Sequence, residues 1–570
     1  MAWRSTLLLS AIVLGALTTT QQAMAAESSR PNFLIIVTDD QGWWDLACHG
    51  NPVIKTPRLD QLCSESVEFT RFYASPVCSL SRASILTGRY PLRTGCYDTR
   101  FGHDTLNSSE VTVGDVLKRS GYQTALFGKW HQGRYMNNHP NNRGFEEFFG
   151  FWQYGHVERY FYPDRMWHNQ ERVECRGHIT EQITDATIDY MANITGQFCC
   201  FVTYNVPHYP FQAPPALVEP YLSQGVPLED AQIYALVEHC DSNIGRLLDA
   251  LEEHDLDKNT VVLFLSDNGG ISKYFNAGLR GKKGSVYEGG VLTPFFARYP
   301  GQFPAGTKVD AQAGVIDIMP TLAALAGTEL PENRTIDGAD LAPLLQAGKG
   351  DSPHKYMYHN WNRDIPRDDK NWAISDSRHK LVNGQLYDLL NDRAEAKNLA
   401  AEKPQIAQRL RDEYVRWFKD VTNGQEYGRV RIEVGREDEN PVELQMSWAQ
   451  LKGEHTRYTF DAYDWDVVDG WDHVGDAVDW EITVTRPGKY EVRVAYGCGQ
   501  ADAGGAFSVS VGTATTQGTV ESTPTADIFI SRTVGTIELP AGDATIRVKA
   551  EKIPGKQLMA LNRLWLKRID

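Results

Sequence analysis

Asn32-Phe-Leu-Ile-Ile-Val37 runs without interruption into Thr38-Asp39-Asp40, an apolar stretch that ends on two carboxylates. Three later stretches repeat the plan. Thr124–Phe127 (TALF) runs into Gly128-Lys129-Trp130-His131, Phe198–Val202 (FCCFV) leads through Asn205 to Pro207-His208, and Val261–Leu265 (VVLFL) runs into Ser266-Asp267-Asn268-Gly269-Gly270. Short apolar runs closed by polar loops suit strands covered on both faces, where neither face meets water. Helical patterns lie between them. In the clearest, Ile233, Leu236, Val237, Cys240, Ile244, Leu247, Leu248 and Leu251 form one continuous stripe. Alternating strands and helices predict an α/β domain whose large, mostly parallel sheet is sandwiched by helices. Ligands of such sheets gather beyond the carboxyl ends of the strands. All four polar loops occupy such ends, so the pattern brings them to one cleft.

Outward from these strands the texture changes twice. The α/β pattern covers about residues 30–345. Residues 346–423 read as a small α+β subdomain, with a short strand at Leu386–Leu389 and a helix over Pro404–Phe418. From about 424 to 570 the apolar residues alternate with period two, as in Val492–Tyr496, Phe507–Val511 and Ile546–Lys549, and turns such as Pro487-Gly488 and Ala541-Gly542-Asp543 separate the runs. That pattern predicts an all-β sandwich. It faintly resembles carbohydrate-binding jelly rolls at Val478–Ile482 and Pro487–Tyr490. Trp465 and Trp471 are candidates for stacking on sugar rings, although packing in the core is the preferred reading.

Residues 1–25 have a basic start, an apolar run from Leu7 to Leu17 and Ala23-Met24-Ala25. This is the pattern of an export signal cleaved after Ala25 or Ala26, and its core is too short to span a bilayer. No later run reaches ~18 apolar residues, so the mature protein is expected to be soluble, and secreted or periplasmic. Lys+Arg number 57 against 73 Asp+Glu, a net charge of −16 that argues against nucleic-acid binding. Export permits disulfides. Nine cysteines are an odd number, so at least one is unpaired or altered.

The strand-end loops carry two sets of groups. Asp39, Asp40, Asp267 and Asn268 form the first. Two like charges ~4 Å apart cost on the order of 4 kcal/mol at an effective dielectric of 20. A divalent cation removes that cost, and all-oxygen ligation favours Ca2+ or Mg2+ over zinc. Either pair alone reads equally well as a turn. Arg82, Lys129, His131, His208 and Lys283 form the second set, suited to an oxyanion held beside a metal. Between them in character is Cys78, in Ser75-Pro-Val-Cys-Ser-Leu-Ser-Arg-Ala-Ser-Ile-Leu-Thr-Gly-Arg89. Ser79 or Ser81 is expected to cap a helix over Arg82–Leu86, with Gly88 past its end. A cysteine at that helix N-terminus sits among free N–H donors that lower a thiol pKa and bind anions. By position alone a disulfide is the commoner role for such a cysteine.

Cys78-Ser-Leu-Ser-Arg82 followed by Leu86-Thr-Gly-Arg89 resembles the signature of formylglycine-dependent (type I) sulfatases, arylsulfatase-like members of the alkaline-phosphatase-like superfamily. Asp39-Asp40-Gln-Gly, Gly128-Lys-Trp-His131, Pro207-His-Tyr-Pro210, Ser266-Asp-Asn-Gly269 and Leu279–Gly290 match further family motifs in order. Leu386–Leu389 with Asn398-Leu-Ala400 resembles the family's C-terminal subdomain. The likeness covers about residues 30–420. It implies that Cys78 is oxidised to formylglycine by a maturation enzyme and acts as the aldehyde hydrate: one hydroxyl attacks sulfur, the alcohol leaves, and the second hydroxyl expels sulfate. It implies that Asp39, Asp40, Asp267, Asn268 and the residue at Cys78 hold Ca2+, with Mg2+ as the alternative. Arg82 and Lys129 would steady the nucleophile, His131 would bond one of its hydroxyls, and His208 and Lys283 would hold sulfate and help the leaving oxygen depart.

Two positions depart from the family pattern. Leu80 stands where the motif has proline, and Val291-Leu292 stands where arginine often follows Glu-Gly-Gly-x. The expected function is hydrolysis of a sulfate monoester, the substrate being a sulfated carbohydrate or an aryl sulfate, with no nucleic-acid partner and no membrane partner after signal cleavage. Two alternatives stay open from sequence: a related phosphate or phosphonate ester hydrolase, and a glycan-binding pseudoenzyme in which Cys78 is not converted.

Overall fold

The computed structural model describes residues 30–428, 430–460 and 466–570. The export segment and Trp465 lie outside them. The largest sheet has eleven strands: β1 (Asn32–Asp39), β2 (Val67–Tyr73), β3 (Gln123–Lys129), β4 (Glu147–Phe151), β5 (Met166–His168), β6 (Glu171–Val173), β7 (Phe198–Pro207), β8 (Thr260–Ser266), β9 (Leu292–Thr293), β10 (Phe295–Arg298) and β11 (Thr307–Gly314). Their spatial order is β11-β2-β10-β8-β1-β7-β3-β4-β5-β6, with β9 paired to β2. The central strands β8, β1, β7, β3 and β4 are parallel neighbours. β10 runs antiparallel to both β8 and β2, and β5 and β6 fold back antiparallel beyond β4. The expected parallel sheet is therefore the centre of a mixed one.

β1 shows why its apolar run is unbroken. Leu34 and Ile36 enter one core and Phe33, Ile35 and Val37 enter another, because successive side chains point to opposite faces. The first core is closed by α1 (Pro57–Ser64), α4 (Ile179–Asn193) and α5 (Leu228–Glu253); the second by α2 (Cys78–Thr87), α3 (Val113–Arg119) and α6 (Ile318–Ala326). Every member of the stripe from Ile233 to Leu251 is buried on α5.

A four-stranded antiparallel sheet, β12 (Met357–Asn360), β13 (Trp372–Ser375), β14 (His379–Val382) and β15 (Gln385–Asp388), packs under α7 (Pro404–Thr422), with Trp372 stacked on Tyr414 at 4.5 Å. Lys380 of β14 reaches back to Glu288 at 2.7 Å and Glu395 at 3.3 Å, all three buried. Beyond residue 430 two six-stranded sheets enclose Trp448, Trp471 and Trp480. Trp471 is fully buried and donates its indole N–H to the Val468 carbonyl at 3.0 Å, which makes it core rather than a sugar platform. Tyr135 enters this same core from the α/β part, edge-on to Trp448. Among the described residues no helix is long and apolar enough to cross a membrane.

Candidate active site

The carboxyl ends of β1, β3, β7 and β8 deliver Asp39 and Asp40, Lys129 and His131, His208, and Asp267 and Asn268 to one place. Gly128 lets β3 come that close: a Cβ there would lie 2.1 Å from the Thr203 carbonyl oxygen of β7. Asp40 and His131 take left-handed backbone conformations, φ 70° and 58°. Such conformations cost non-glycine residues free energy and are held by their surroundings.

α2 supplies Cys78 and Arg82. The helix begins at Cys78 itself, earlier than the expected start at Arg82. Neither serine caps it. Ser79 donates to the Asp98 carbonyl at 3.1 Å, and Ser81 accepts from the Ser75 N–H at 2.8 Å, which pins the turn leading into the helix. Gly88 ends it at φ 67°, as expected.

All ten expected residues meet. Lys129 Nζ lies 2.5 Å from Asp39 Oδ2, Lys283 Nζ 2.7 Å from Asp40 Oδ2, and Arg82 Nε donates to Asp267 Oδ2 at 2.9 Å. Asn268 Nδ2 donates to Asp40 Oδ1 at 2.9 Å. Cys78 Sγ lies 3.3 Å from His131 Nδ1. His208 donates Nδ1–H to the Tyr209 carbonyl at 2.6 Å, turning Nε2 toward Asp40 at 3.8 Å. In ionised form three carboxylates (Asp39, Asp40, Asp267) face three cations (Arg82, Lys129, Lys283). An added dication would leave the site net positive, which favours an anionic ligand.

The titrations follow from burial and charge. Burial raises Asp39, but Lys129 and His208 outweigh it and hold the carboxyl well below its usual range. Asp267, equally buried and facing Asp39, is pushed up to about 7. A dication would reverse that shift. His131 falls well below its ordinary value through burial beside Lys129 and Arg82. The Cys78 thiol rises to about 11, because burial outweighs Lys129 and Lys283. The lowering expected from its helix position is thus overturned.

Asp39, Cys78 and Asp267 bring one ligand atom each to within 4.8 Å of one another, all buried. Asp39 Oδ1 and Asn268 Oδ1 are buried without a hydrogen-bond partner. Unpartnered hard oxygens facing a cluster of carboxylates fit a hard dication.

Three neighbours carried no motif in the sequence. Asp104 Oδ2 stands 3.7 Å from His131 Nε2, His156 stacks at 6.0 Å on His208, and the buried Asn205 side chain has neither amide atom bonded. Asp104 and His156 come from irregular loops, where spacing gives no periodic signal. Asn205 lies on β7 between the apolar run and His208, and its place at a strand end was the one available clue.

The family described as Sulfatase matches residues 31–328, just over half of the chain, and that described as N-sulphoglucosamine sulphohydrolase, C-terminal, matches 280–419. N-acetylgalactosamine-6-sulfatase of Canis lupus familiaris is 33% identical over 384 residues, 61% of this chain and 70% of that one. Steryl-sulfatase of Homo sapiens is 30% identical over 430 residues, 60% of this chain and 74% of that one. Among solved structures, Ps i-CgsB in complex with k-i-k-neocarrahexaose is similar at a TM-score of 0.64 and 28% identity, covering 70% of this chain and 95% of that one. The chain therefore belongs to the sulfatase family of the alkaline-phosphatase-like superfamily and is an enzyme that hydrolyses sulfate esters.

Proposed function

We propose that this sulfatase acts after export on a sulfated carbohydrate, through a formylglycine made from Cys78 and with Ca2+ held by Asp39, Asp40, Asp267, Asn268 and the residue at position 78. The observation that carries the reading is the buried convergence of Asp39, Cys78 and Asp267 within 4.8 Å. Burial pushes the Cys78 thiol up to about 11, which keeps it protonated and weakly nucleophilic at neutral pH and favours a chemically altered residue at this position. The hydrated aldehyde would supply hydroxyl groups as nucleophile and as the means of releasing sulfate, and Ca2+ held by those residues would supply positive charge to the site. The net change is ester plus water to alcohol, sulfate and a proton.

The chain's own groups do the rest. Arg82 fixes Asp267 and orders the floor beneath position 78. His131 Nδ1 faces position 78 as a neutral ring, placed to accept a hydroxyl proton. Lys129 and Lys283 pair with Asp39 and Asp40 and are placed to offset the negative charge that spreads over the sulfate oxygens in transfer. His208 Nε2, with the ring oriented by Nδ1, faces the side where the leaving oxygen departs.

An exposed aromatic ring beside the site supports a carbohydrate. Tyr209, next to His208, is 64% exposed. Such faces suit the apolar face of a sugar ring. We divide the chain accordingly into a catalytic part (30–345), its C-terminal subdomain (346–423) and an accessory sandwich (424–570). Sulfate release from a panel of sulfated oligosaccharides and aryl sulfates, beside the matching phosphate esters, tests the reading. Turnover of at least one sulfated glycan above the aryl sulfates is expected. A preference for phosphate esters, or for aryl sulfates alone, would remove the glycan assignment.

A further inference from the structure

Eight residues past Asp40 lies a second cluster that the reaction does not use. Cys48 and His49 occupy the short turn Ala47–His49, Cys63 is near the end of α1, and Glu68 is the second residue of β2. We propose that Cys48, His49, Cys63 and Glu68 form a structural zinc site, separate from the sulfate-ester centre.

Geometry carries the inference. One ligand atom each from Cys48, His49 and Cys63 lies within 4.8 Å of the others. His49 Nε2 is 3.0 Å from Glu68 Oε1, and Cys63 Sγ is 3.8 Å from Glu68 Oε2. Tetrahedral zinc with sulfur at about 2.3 Å and nitrogen or oxygen at about 2.0–2.1 Å sets ligand-to-ligand edges of roughly 3.3–3.8 Å. Both contacts lie within a few tenths of an ångström of that range, the first through Oε1 and the second through Oε2, so the Glu68 carboxylate spans two of the donors and would turn one oxygen onto the ion.

The histidine is already arranged as a ligand. Its Nδ1 lies 2.6 Å from the Trp43 carbonyl, a contact it makes as donor, which leaves Nε2, facing Glu68 at 3.0 Å, as the ring atom available to a metal. Trp43 stacks on the ring at 4.1 Å and holds its plane. The His49 and Glu68 side chains are 1% and 2% exposed. Two thiolates, an imidazole and a carboxylate suit zinc and not the oxygen-seeking cations of the catalytic cleft. On binding, each thiol releases its proton to solvent and nothing is oxidised or reduced. Two thiolates and one carboxylate then leave zinc one negative charge in excess, and Lys308 Nζ, 3.0 Å from Glu68 Oε2, balances it. A disulfide between the two cysteines would use only two of the four donors. The ion would tie the loop that follows Asp39 and Asp40 to α1 and β2.

The test is elemental analysis of the untagged, full-length protein after dialysis against metal-depleted buffer with equimolar zinc restored. About one zinc per chain is expected, lost in C48S/C63S and kept in Asp267→Asn, whose defect lies in the other site. Cobalt in place of zinc on the wild-type chain removes any dependence on variants that fold poorly: a thiolate-to-cobalt absorption band with strong tetrahedral visible bands is expected. Wild-type protein that takes up no zinc, that yields Cys48 and Cys63 as a disulfide-linked peptide, or whose cobalt form lacks the thiolate band overturns the proposal.

Discussion

Cys78 is first in its helix, buried, 3.3 Å from His131 Nδ1 and in the field of Lys129 and Lys283. Replacing it with alanine should abolish sulfate release while the thermal midpoint and circular dichroism stay those of the parent. Retained turnover would mean that another residue attacks sulfur. Lys283→Ala removes one of three cations and should lower kcat by roughly 10²–10³, the scale for losing one preorganised oxyanion donor. A change of under threefold in steady-state kcat would assign the stabilisation elsewhere. Leu80 fills an apolar cluster with Val77, Ala83, Cys96 and Leu106, so leucine serves the folded enzyme at the third helical position, where proline is also tolerated. The ten site residues were legible because most end buried strands or belong to ordered motifs. Asp104 and His156 were not, since a loop residue gains its place only when distant segments pack.

At the scale of elements, apolar runs announced the central strands, but nothing in them announced the antiparallel strands β5, β6 and β10, which are short and weakly patterned. The start of α2 was misread because serines near a helix start usually cap it, whereas Ser79 and Ser81 bond to Asp98 and Ser75 instead. The contact of β14 with the segment after Tyr287 makes a pH prediction. Burial, with Glu288 close by, pushes Glu395 up to about 7 despite Lys380. Its carboxyl is raised in the folded state, so the stability it lends is fully present below the ordinary value of 4.5 and is lost as pH rises through about 7. Urea unfolding should show that decline, and Glu395→Gln should flatten it. An unchanged pH slope in the variant would place the titration on another group.

At the scale of the whole molecule, the sandwich is fastened to the α/β part by more than a linker. Tyr135 lies in the sandwich core against Trp448 and donates to the Glu443 carbonyl at 2.9 Å, and the Met136 N–H donates to Glu439 Oε2 at 2.9 Å. Tyr135→Ala should cost about 3 kcal/mol, the scale for truncating a buried aromatic, and should split calorimetric unfolding into two transitions. One unsplit transition at the parent temperature would show the two parts to be coupled by other contacts. Alternating strands and turns made the sandwich itself legible, whereas the docking tyrosine lies in a loop whose sequence carries no sign of its partner. The mass of the tryptic peptide Phe72–Arg82 reads directly what position 78 becomes. Across preparations made with differing amounts of the maturation enzyme, the fraction of that peptide carrying an aldehyde should rise in proportion to sulfate-releasing activity, through the origin; full activity in a preparation whose peptide carries only the thiol would contradict a formylglycine nucleophile.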